Sequence, residues 1–316
     1  MSKHNTPTPV YTFKCDKYVP NCVVFHTAKQ LLYVGTQTGE IHSWNLETNR
    51  QEIKTNAGNQ SIMNLEILIK KNQLVSQNKF GEIRFWTMDQ FKLSIHHILH
   101  TQVLGFCKFS LYKTELILCK SLKEKSILNC YSTESYEIMK TYNPDDKNLG
   151  DLMTIKTIKD YIFCAYESCK VIIWCENSIV ETSDFPDTEC LMALDVDSSL
   201  AKGVCAGSSD TINTFHIADS KISCKKSVQI TNPGVSVLRL RPDDKIVAAA
   251  CWDSTVKLFS WKSMKLLAIL DSHSSGVLDI TYSKSLVTFW KTKYMLAVAC
   301  KDNKITLWDI YNGQST

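Results

Sequence analysis

Two segments near the carboxyl end of the chain repeat almost the same pattern. Residues 245–259 read KIVAAACWDSTVKLF, and residues 294–308 read YMLAVACKDNKITLW. Each segment is an apolar run, a polar turn that contains an Asp, and an alternating run that ends on an aromatic residue. This order is typical of two antiparallel strands joined by a tight turn. Such repetition constrains the fold more strongly than any single residue, because each repeated unit has to stack on its own copies.

The same unit can be traced seven times along the chain by its closing aromatic residue. These marker aromatics are Trp44, Trp86, Tyr131, Trp174, Phe215, Phe259 and Trp308. An aliphatic residue stands three positions before each marker, at Ile41, Ile83, Leu128, Val171, Ile212, Val256 and Ile305. Successive markers lie 42, 45, 43, 41, 44 and 49 residues apart, close to the roughly 40–45 residues of a four-stranded propeller blade. The sequence predicts an all-β fold, a seven-bladed β-propeller, with residues 283–293 inserted in the last blade as a loop or strand extension.

The two ends of the chain are predicted to close the ring. The last repeat ends with the strand of Trp308, which leaves the final blade one strand short, while residues 10–14 (VYTFK) form a strand without a blade of its own. An open ring would expose a strand edge prone to aggregation, so residues 10–14 are expected to supply the missing outer strand. We predict one propeller domain over residues 1–316, with residues 1–9 as a flexible tail.

Several of the marker positions resemble the WD repeat. One literal Trp-Asp pair occurs, at Trp308 and Asp309, and Trp44, Trp86 and Trp174 stand at the same position but are followed by other residues. The resemblance implies a seven-bladed WD-repeat propeller in which these tryptophans are structural.

The same resemblance assigns structural roles to polar residues. His273, Asp302 and Trp308 match the His, Asp and Trp of the hydrogen-bonded tetrad of WD blades, whereas Val298 stands where the Ser or Thr is expected. The tetrad is therefore predicted to be incomplete even in this blade. Asp253 keeps the turn acid in the preceding blade. The remaining blades lack it, and we predict that most blades depend on apolar packing between sheets rather than on this tetrad network.

A closer resemblance covers roughly residues 230–311. TNPGV at 231–235, RPDDKI at 241–246 and CWD at 251–253 carry it. This stretch is similar to the WD-repeat family that includes ASTRA-associated protein 1 and the guanine nucleotide-binding protein beta-subunit-like protein 1. The resemblance implies a non-catalytic scaffold, an adaptor in the Triple T co-chaperone and ASTRA pathway that stabilises phosphatidylinositol 3-kinase-related kinases. The implied partners are Triple T components and these kinases.

Two other functions stay open, a G-protein-beta-like signalling scaffold and a chromatin-associated WD-repeat subunit. G-protein beta subunits carry a long amino-terminal helix that pairs with a gamma chain, but here about nine polar, Pro-containing residues precede the first predicted strand. We therefore expect no coiled-coil site. The chain also lacks an apolar run of roughly 18 residues and an apolar signal segment. It is expected in the cytoplasm and nucleus, away from membranes, and monomeric outside its complex.

The resemblance also implies partner-binding positions. In WD propellers the residue before the turn Asp faces the rim where partners dock, and this position corresponds to Trp252, Lys301 and Glu167. Exposed tryptophan is enriched in binding hot spots. The alternative is that Trp252 folds over the neighbouring blade and contributes packing alone. Trp261 alternates with Phe259 and is predicted to be buried.

Motifs of catalysis are absent from the sequence. It contains no Gly-x-Ser-x-Gly elbow, Gly-rich phosphate loop or His-Glu-x-x-His motif. The paired carboxylates at residues 145–146 and 243–244 each follow a proline, which is typical of solvated turn acids. We predict no enzyme activity, no catalytic residue and no cofactor.

Metal and nucleic-acid sites are also not predicted. The 13 cysteines include no Cys-x-x-Cys pair, and we interpret them as small buried hydrophobes in a reducing compartment. His96 and His100 have the spacing of a helical zinc site, but they fall on a predicted outer strand, where side chains alternate. The formal charge is only +4 and the lysine clusters are dispersed, so direct sequence-specific nucleic-acid binding is not expected. A basic patch that meets an acidic partner stays open.

Overall fold

The seven-bladed propeller is confirmed by a computed structural model. It describes residues 7–90, 92–101, 104–185, 188–218 and 221–312. Within these ranges, 28 strands form seven four-stranded antiparallel sheets. A short 3₁₀ helix, Ile69–Lys71, follows one inner strand. The described residues contain no apolar helix long enough to span a membrane.

Each blade is a meander of four consecutive strands, except the last, which is completed by the first strand of the chain. In chain order the strands are β1 (Tyr11–Lys14), β2 (Pro20–Phe25), β3 (Leu31–Thr36), β4 (Glu40–Asn45), β5 (Arg50–Asn56), β6 (Ile62–Leu68), β7 (Gln73–Asn78), β8 (Glu82–Met88), β9 (Leu93–His100), β10 (Ser110–Tyr112), β11 (Leu116–Lys120), β12 (Leu128–Ser132), β13 (Ile138–Tyr142), β14 (Leu152–Ile158), β15 (Tyr161–Tyr166), β16 (Lys170–Cys175), β17 (Ser178–Asp184), β18 (Leu191–Val196), β19 (Lys202–Gly207), β20 (Thr211–Ala218), β21 (Lys221–Gln229), β22 (Val235–Leu240), β23 (Ile246–Cys251), β24 (Val256–Ser260), β25 (Leu266–Leu270), β26 (Val277–Tyr282), β27 (Leu296–Cys300) and β28 (Lys304–Trp308). Blade 1 is β2–β5, blades 2 to 6 follow in order, and blade 7 is β26–β28 with β1.

The hairpins predicted from the repeat are the second and third strands of each blade. In the described structure, the seven aliphatic residues three positions before the markers are all fully buried. In blades 1 to 6, the pairing between the third strand and the outer strand shifts register directly before the marker, as between Phe85 and Trp86. Such a bulge bends the strand and re-aims the next side chain, which accommodates the large marker ring between sheets.

The predicted ring closure is confirmed. Strand β1 pairs antiparallel with β28, from Tyr11 opposite Leu307 to Lys14 opposite Lys304. Phe13 is buried, and its ring centroid lies 4.6 Å from that of Trp44 in blade 1. The strand therefore joins the last blade to the first. Residues 1–6 of the predicted flexible tail lie outside the described residues, and the single domain over residues 1–316 stays a prediction.

The predicted insert lies between β26 and β27 and contacts blade 1. Its Thr288 N–H donates to the Gln30 side chain at 2.9 Å, and the Gln30 amide donates to the Leu286 carbonyl at 3.1 Å. The Trp290 ring lies 6.1 Å from that of Tyr11. The insert thus adds a second contact across the junction that β1 closes.

Candidate interaction face

The ring has two faces, which can be told apart by their connections. Because adjacent strands are antiparallel, the turns between second and third strands lie on the same face as the connections between blades. We call this the upper face, and the opposite side the lower face. The first strands of the blades surround a central channel of about 1120 Å³.

One hydrogen bond recurs on the upper face in six blades of the described structure. The residue that opens the turn between the second and third strands donates its N–H to a carbonyl of the incoming connection at 2.9–3.2 Å. The donors, with acceptors in parentheses, are Gln37 (Val19), Lys79 (Ser61), Glu167 (Asp151), Ser208 (Glu189), Trp252 (Gly234) and Lys301 (Gly276). Trp252, Lys301 and Glu167 therefore occupy equivalent positions, as expected. Their role in binding stays a prediction.

Trp252 is both packed against the fold and exposed to solvent. Its indole lies against Gly234, where a Cβ would stand 2.2 Å from the ring, and Gly234 has a φ of 99° that suits glycine. The side chain nevertheless remains 48% exposed. One face of the indole is therefore held against the backbone while the rest faces solvent.

Glu167 and Lys301 differ in how strongly the fold holds them. The Glu167 carboxylate accepts the Asp151 N–H at 3.1 Å and crowds Gly150, whose φ is 70°. This carboxylate is therefore partly structural. Lys301 is exposed at the mouth of the channel, where its side chain can meet a partner.

The tetrad of blade 7 is complete, so the prediction that Val298 leaves it incomplete is wrong. Asp302 binds His273 Nδ1 at 3.1 Å, and His273 Nε2 and Trp308 Nε1 each lie 2.8 Å from the Thr306 hydroxyl. The hydroxyl belongs to Thr306 on the third strand, which stands directly opposite Val298 on the second strand. This geometry places the imidazole proton on Nδ1, so that Thr306 donates to Nε2 and accepts from Trp308.

The position of Thr306, two residues before the marker, is polar in six of the seven blades within the described ranges. These residues, with their partners in parentheses, are His42 (Glu40, Gln51), Arg84 (Glu82), Asn129 (Thr141), Asn213 (Thr188, Ser227), Lys257 (Asp253) and Thr306 (His273). The pairs outside blade 7 differ from its tetrad, and apolar clusters fill the junctions between neighbouring blades among the described residues. This agrees with the prediction that most blades depend on apolar packing rather than on the tetrad network. Six blades thus carry a polar residue here with different partners, which the WD pattern does not encode, whereas blade 4 has Ile172 at this position.

Burial and hydrogen bonding shift the pKa values of these groups. Burial lowers the pKa of His273 below its usual value, against the opposing effect of Asp302. Burial acts to raise the pKa of Asp302, but Cys300 and His273 outweigh it and hold that pKa below its usual value. Burial also acts to raise the pKa of Asp253. Hydrogen bonds from Lys257, Thr255 and Asn232 outweigh it and lower that pKa to about 2. These carboxylates are thus held in their ionised form.

The channel wall has a regular construction. In six described blades a bulge between the first and second strands presents one extra residue, and all six line the channel. They are Asn21, Met63, Met153, Met192, Ser236 and Leu278. The wall is therefore largely apolar at this level.

Two buried carboxylates also lie in the channel wall, and both join blades. Asp279 pairs with Lys108 at 2.9 Å and accepts the Val23 N–H at 3.1 Å. Asp195 pairs with Lys156 at 2.5 Å and accepts the Leu240 N–H at 2.7 Å. Each acid is neutralised by a lysine and hydrogen-bonded to the next blade, so its lone pairs are engaged in structure.

Possible metal donors are engaged in the same way. The donor atoms of His273, Cys300 and Asp302 lie within 4.8 Å of one another among the described residues. Both His273 nitrogens are hydrogen-bonded, and the Cys300 thiol donates to the Ser275 carbonyl at 3.0 Å. Burial raises the pKa of Cys300 to about 11, which keeps the thiol protonated. This group serves as part of the blade rather than as a preformed ligand set.

The remaining candidate positions lie mostly in the surroundings that the sequence predicts. His96 and His100 lie on outer strand β9, where residues four apart are roughly 13 Å apart. Trp261 is buried, as are nine of the 13 cysteines, all of which are free, but Cys224 is exposed. The prediction of burial therefore fails for Cys224 and holds only in part for Cys169, Cys175 and Cys190, which are half-buried.

Comparison with known proteins agrees with this architecture. The family model "WD domain, G-beta repeat" matches residues 223–260 and 264–309. The chain is 28% identical to "Guanine nucleotide-binding protein subunit beta-like protein 1" of Mus musculus over 297 residues, covering 89% of this chain and 88% of the relative. It is 24% identical to "ASTRA-associated protein 1" of Schizosaccharomyces pombe over an alignment of 376 residues, covering 96% of this chain and 99% of the relative. The chain is therefore a seven-bladed WD-repeat β-propeller similar in sequence to these two proteins.

Proposed function

We propose that this protein is a non-catalytic interaction scaffold that binds partners through its upper face. The observation that carries the proposal is the exposed Trp252, which is held against Gly234 on a closed ring. Because the indole is already ordered, a partner that covers it loses little conformational entropy on binding. Lys301 in blade 7 and Glu167 in blade 4 provide charges at the equivalent positions of the upper face.

The channel supports binding over catalysis. General acid–base chemistry needs groups that can exchange protons with a substrate. Asp195 and Asp279 are instead covered by lysines and backbone N–H groups. We therefore assign no catalytic residue and no cofactor to this protein.

At a finer level, we propose that the scaffold is an adaptor in the Triple T co-chaperone and ASTRA pathway. The similarity to ASTRA-associated protein 1 over nearly the whole chain supports this assignment. Its partners would be Triple T components and phosphatidylinositol 3-kinase-related kinases, in the cytoplasm and nucleus, with the chain monomeric outside its complex. The alternative is a G-protein-beta-like signalling scaffold, which the name of the mouse relative favours.

Affinity purification with quantitative mass spectrometry tests this proposal. Wild type and Trp252→Ala would be compared with Phe289→Ala, which removes an aromatic side chain of similar exposure from the lower-face insert. We expect kinase-maturation factors with wild type and Phe289→Ala but not with Trp252→Ala. Recovery of G-protein signalling components instead would support the alternative, and equal recovery by all three variants would exclude Trp252 as the interface.

A further inference from the structure

A second surface on the upper face is formed by blades 2 and 3. Four large apolar side chains project from three neighbouring loops there: Phe80 (48% exposed), Leu104 (61%), Phe106 (63%) and Leu122 (60%). We call these four residues the blade 2–3 patch. Exposed apolar side chains that cluster in this way mark interaction sites more often than those scattered singly.

Hydrogen bonds hold the three loops next to one another. The Thr101 N–H donates to the Gly81 carbonyl at 3.1 Å, which fixes the turn of Phe80 to the end of β9. The Gln77 side chain donates to the Cys107 carbonyl at 3.1 Å and accepts the Phe109 N–H at 2.8 Å. These bonds hold Thr101 on one side of Phe106, and Cys107 and Phe109 on the other, against the turn of blade 2 that carries Phe80.

The third loop joins this arrangement through Lys120. A Cβ at Gly105 would lie 3.6 Å from Lys120 Nζ, so the connection that carries Leu104 and Phe106 passes over the end of β11. Leu122 follows two residues later in the sequence. Lys120 itself is buried and paired with Asp151 at 2.9 Å, which fixes the start of the Leu122 loop.

The charges around the patch are mostly positive. Lys79 and Lys123 are exposed, and neither forms an ion pair in the described part of the chain. Lys125 lies at the weaker distance of 3.5 Å from Asp151, a carboxylate already paired with Lys120. Glu124 is the exposed acid of this loop. An approaching acidic group would therefore find lysines that no internal carboxylate has satisfied.

We propose that the blade 2–3 patch binds an acidic segment of a partner protein that also carries large apolar side chains. The apolar side chains of the segment would cover Phe80, Leu104 and Phe106, and its carboxylates would face Lys79 and Lys123. Burial of the apolar groups supplies most of the binding energy, while the charges raise the association rate and select acidic sequences. This surface is separate from Trp252, and the inference does not depend on the proposed pathway.

Selection from a display library of random linear peptides tests the inference on the full chain. Wild type would be the target, and enriched peptides would be synthesised and measured against Leu104→Ser/Phe106→Ser. Met139→Ser is the matched control, because Met139 is 64% exposed on β13, the outer strand of blade 3. The exposed positions predict little effect of any of these changes on the melting temperature.

We expect enriched peptides with net negative charge and several large apolar residues. Their affinity should fall roughly tenfold or more in Leu104→Ser/Phe106→Ser, stay at the wild-type value in Met139→Ser, and decrease with added NaCl and in Lys79→Glu/Lys123→Glu. Selection of basic or neutral peptides, absence of enrichment, or equal affinity in the Leu104→Ser/Phe106→Ser variant would overturn the inference. A concentration-dependent dimer that disappears in that variant would also overturn it, because the patch would then bind a second copy of the chain.

Discussion

The indole N–H groups of the marker tryptophans are satisfied in different ways. Trp44 donates to the Tyr18 hydroxyl at 3.1 Å, and Trp86 donates to the Ser76 hydroxyl at 2.9 Å. Trp174 is buried, and its N–H has no acceptor among the described residues. The position that Ser76 occupies opposite Arg84 is taken by Cys164 opposite Ile172. A hydroxyl at residue 164 would therefore stand where Trp174 needs an acceptor.

Cys164→Ser is predicted to raise the free energy of unfolding by about 1 kcal/mol, because it gives the Trp174 N–H a partner. Denaturant unfolding would measure the change. Cys205→Ser is the matched control, since Cys205 occupies the equivalent position in blade 5, whose own marker, Phe215, has no N–H. We expect Cys205→Ser to lower the free energy of unfolding by about 1–2 kcal/mol. A loss of similar size in both variants would contradict this explanation.

Thr306→Val is predicted to lower the free energy of unfolding by about 2–4 kcal/mol, because it leaves two buried nitrogens without partners. His273 Nε2 and Trp308 Nε1 both depend on this hydroxyl. Thr306→Ser keeps the hydroxyl and should retain most of the stability. Equal losses in the Val and Ser variants, measured by thermal unfolding, would show that packing by the Thr methyl group matters instead.

The lowered pKa of His273 predicts a pH dependence of stability. The unfolded chain binds a proton at the usual value near 6.5, whereas the folded chain resists it. The stability that neutral His273 contributes to the folded chain is therefore present above that pH and is lost as the pH falls below it. His26 and His97, whose pKa values are also lowered by burial, act in the same direction.

We therefore expect the melting temperature of wild type to fall on acidification through pH 6.5, and the slope to be shallower in His273→Gln. Measurement of both proteins in one buffer series isolates His273 from the other two histidines. An identical slope in the two proteins would contradict the assignment.

At the level of elements, β1 links the ends of the chain through a single buried ring. Phe13 packs with the core that blades 7 and 1 share, whereas Lys14 on the same strand is exposed. Phe13→Ala is predicted to lower the free energy of unfolding by about 3–5 kcal/mol, while Lys14→Ala should lower it by less than about 0.5 kcal/mol. Chemical unfolding of the two variants gives the comparison. A small loss for Phe13→Ala would mean that the ring stays closed without this strand.

The hairpins could be predicted because every blade repeats a buried aliphatic residue three positions before an aromatic marker. Thr306 could not be recognised, because the WD pattern places the hydroxyl on the second strand and only the register puts Thr306 opposite Val298. The channel pairs were missed for a similar reason. Asp279 and Lys108 belong to blade 7 and to the start of blade 3, and ring closure alone brings them together. The rim positions of Trp252 and Lys301 were found through the turn acids that follow them, and Glu167 was found through the alignment of the repeats. The equivalent positions of Gln37, Lys79 and Ser208 became evident from the backbone hydrogen bond that all six residues share.

At the level of the whole molecule, the closed ring keeps the two proposed interaction surfaces apart. Trp252 lies in blade 6 and the patch in blades 2 and 3, so two blades separate them in either direction around the ring. Because each sheet packs against both neighbours, the distance between the surfaces is set by the core. Such a ring can hold two partners at once without a conformational change, which is the physical basis for a scaffold.

The abundance of phosphatidylinositol 3-kinase-related kinases in cells tests the central claim most directly. Endogenous protein would be depleted and replaced by wild type or Trp252→Ala at matched levels, and the kinases quantified by targeted mass spectrometry. We predict that the kinases decline on depletion, recover with wild type, and fail to recover with Trp252→Ala. Kinase levels that do not change when the protein is depleted would contradict the proposed function.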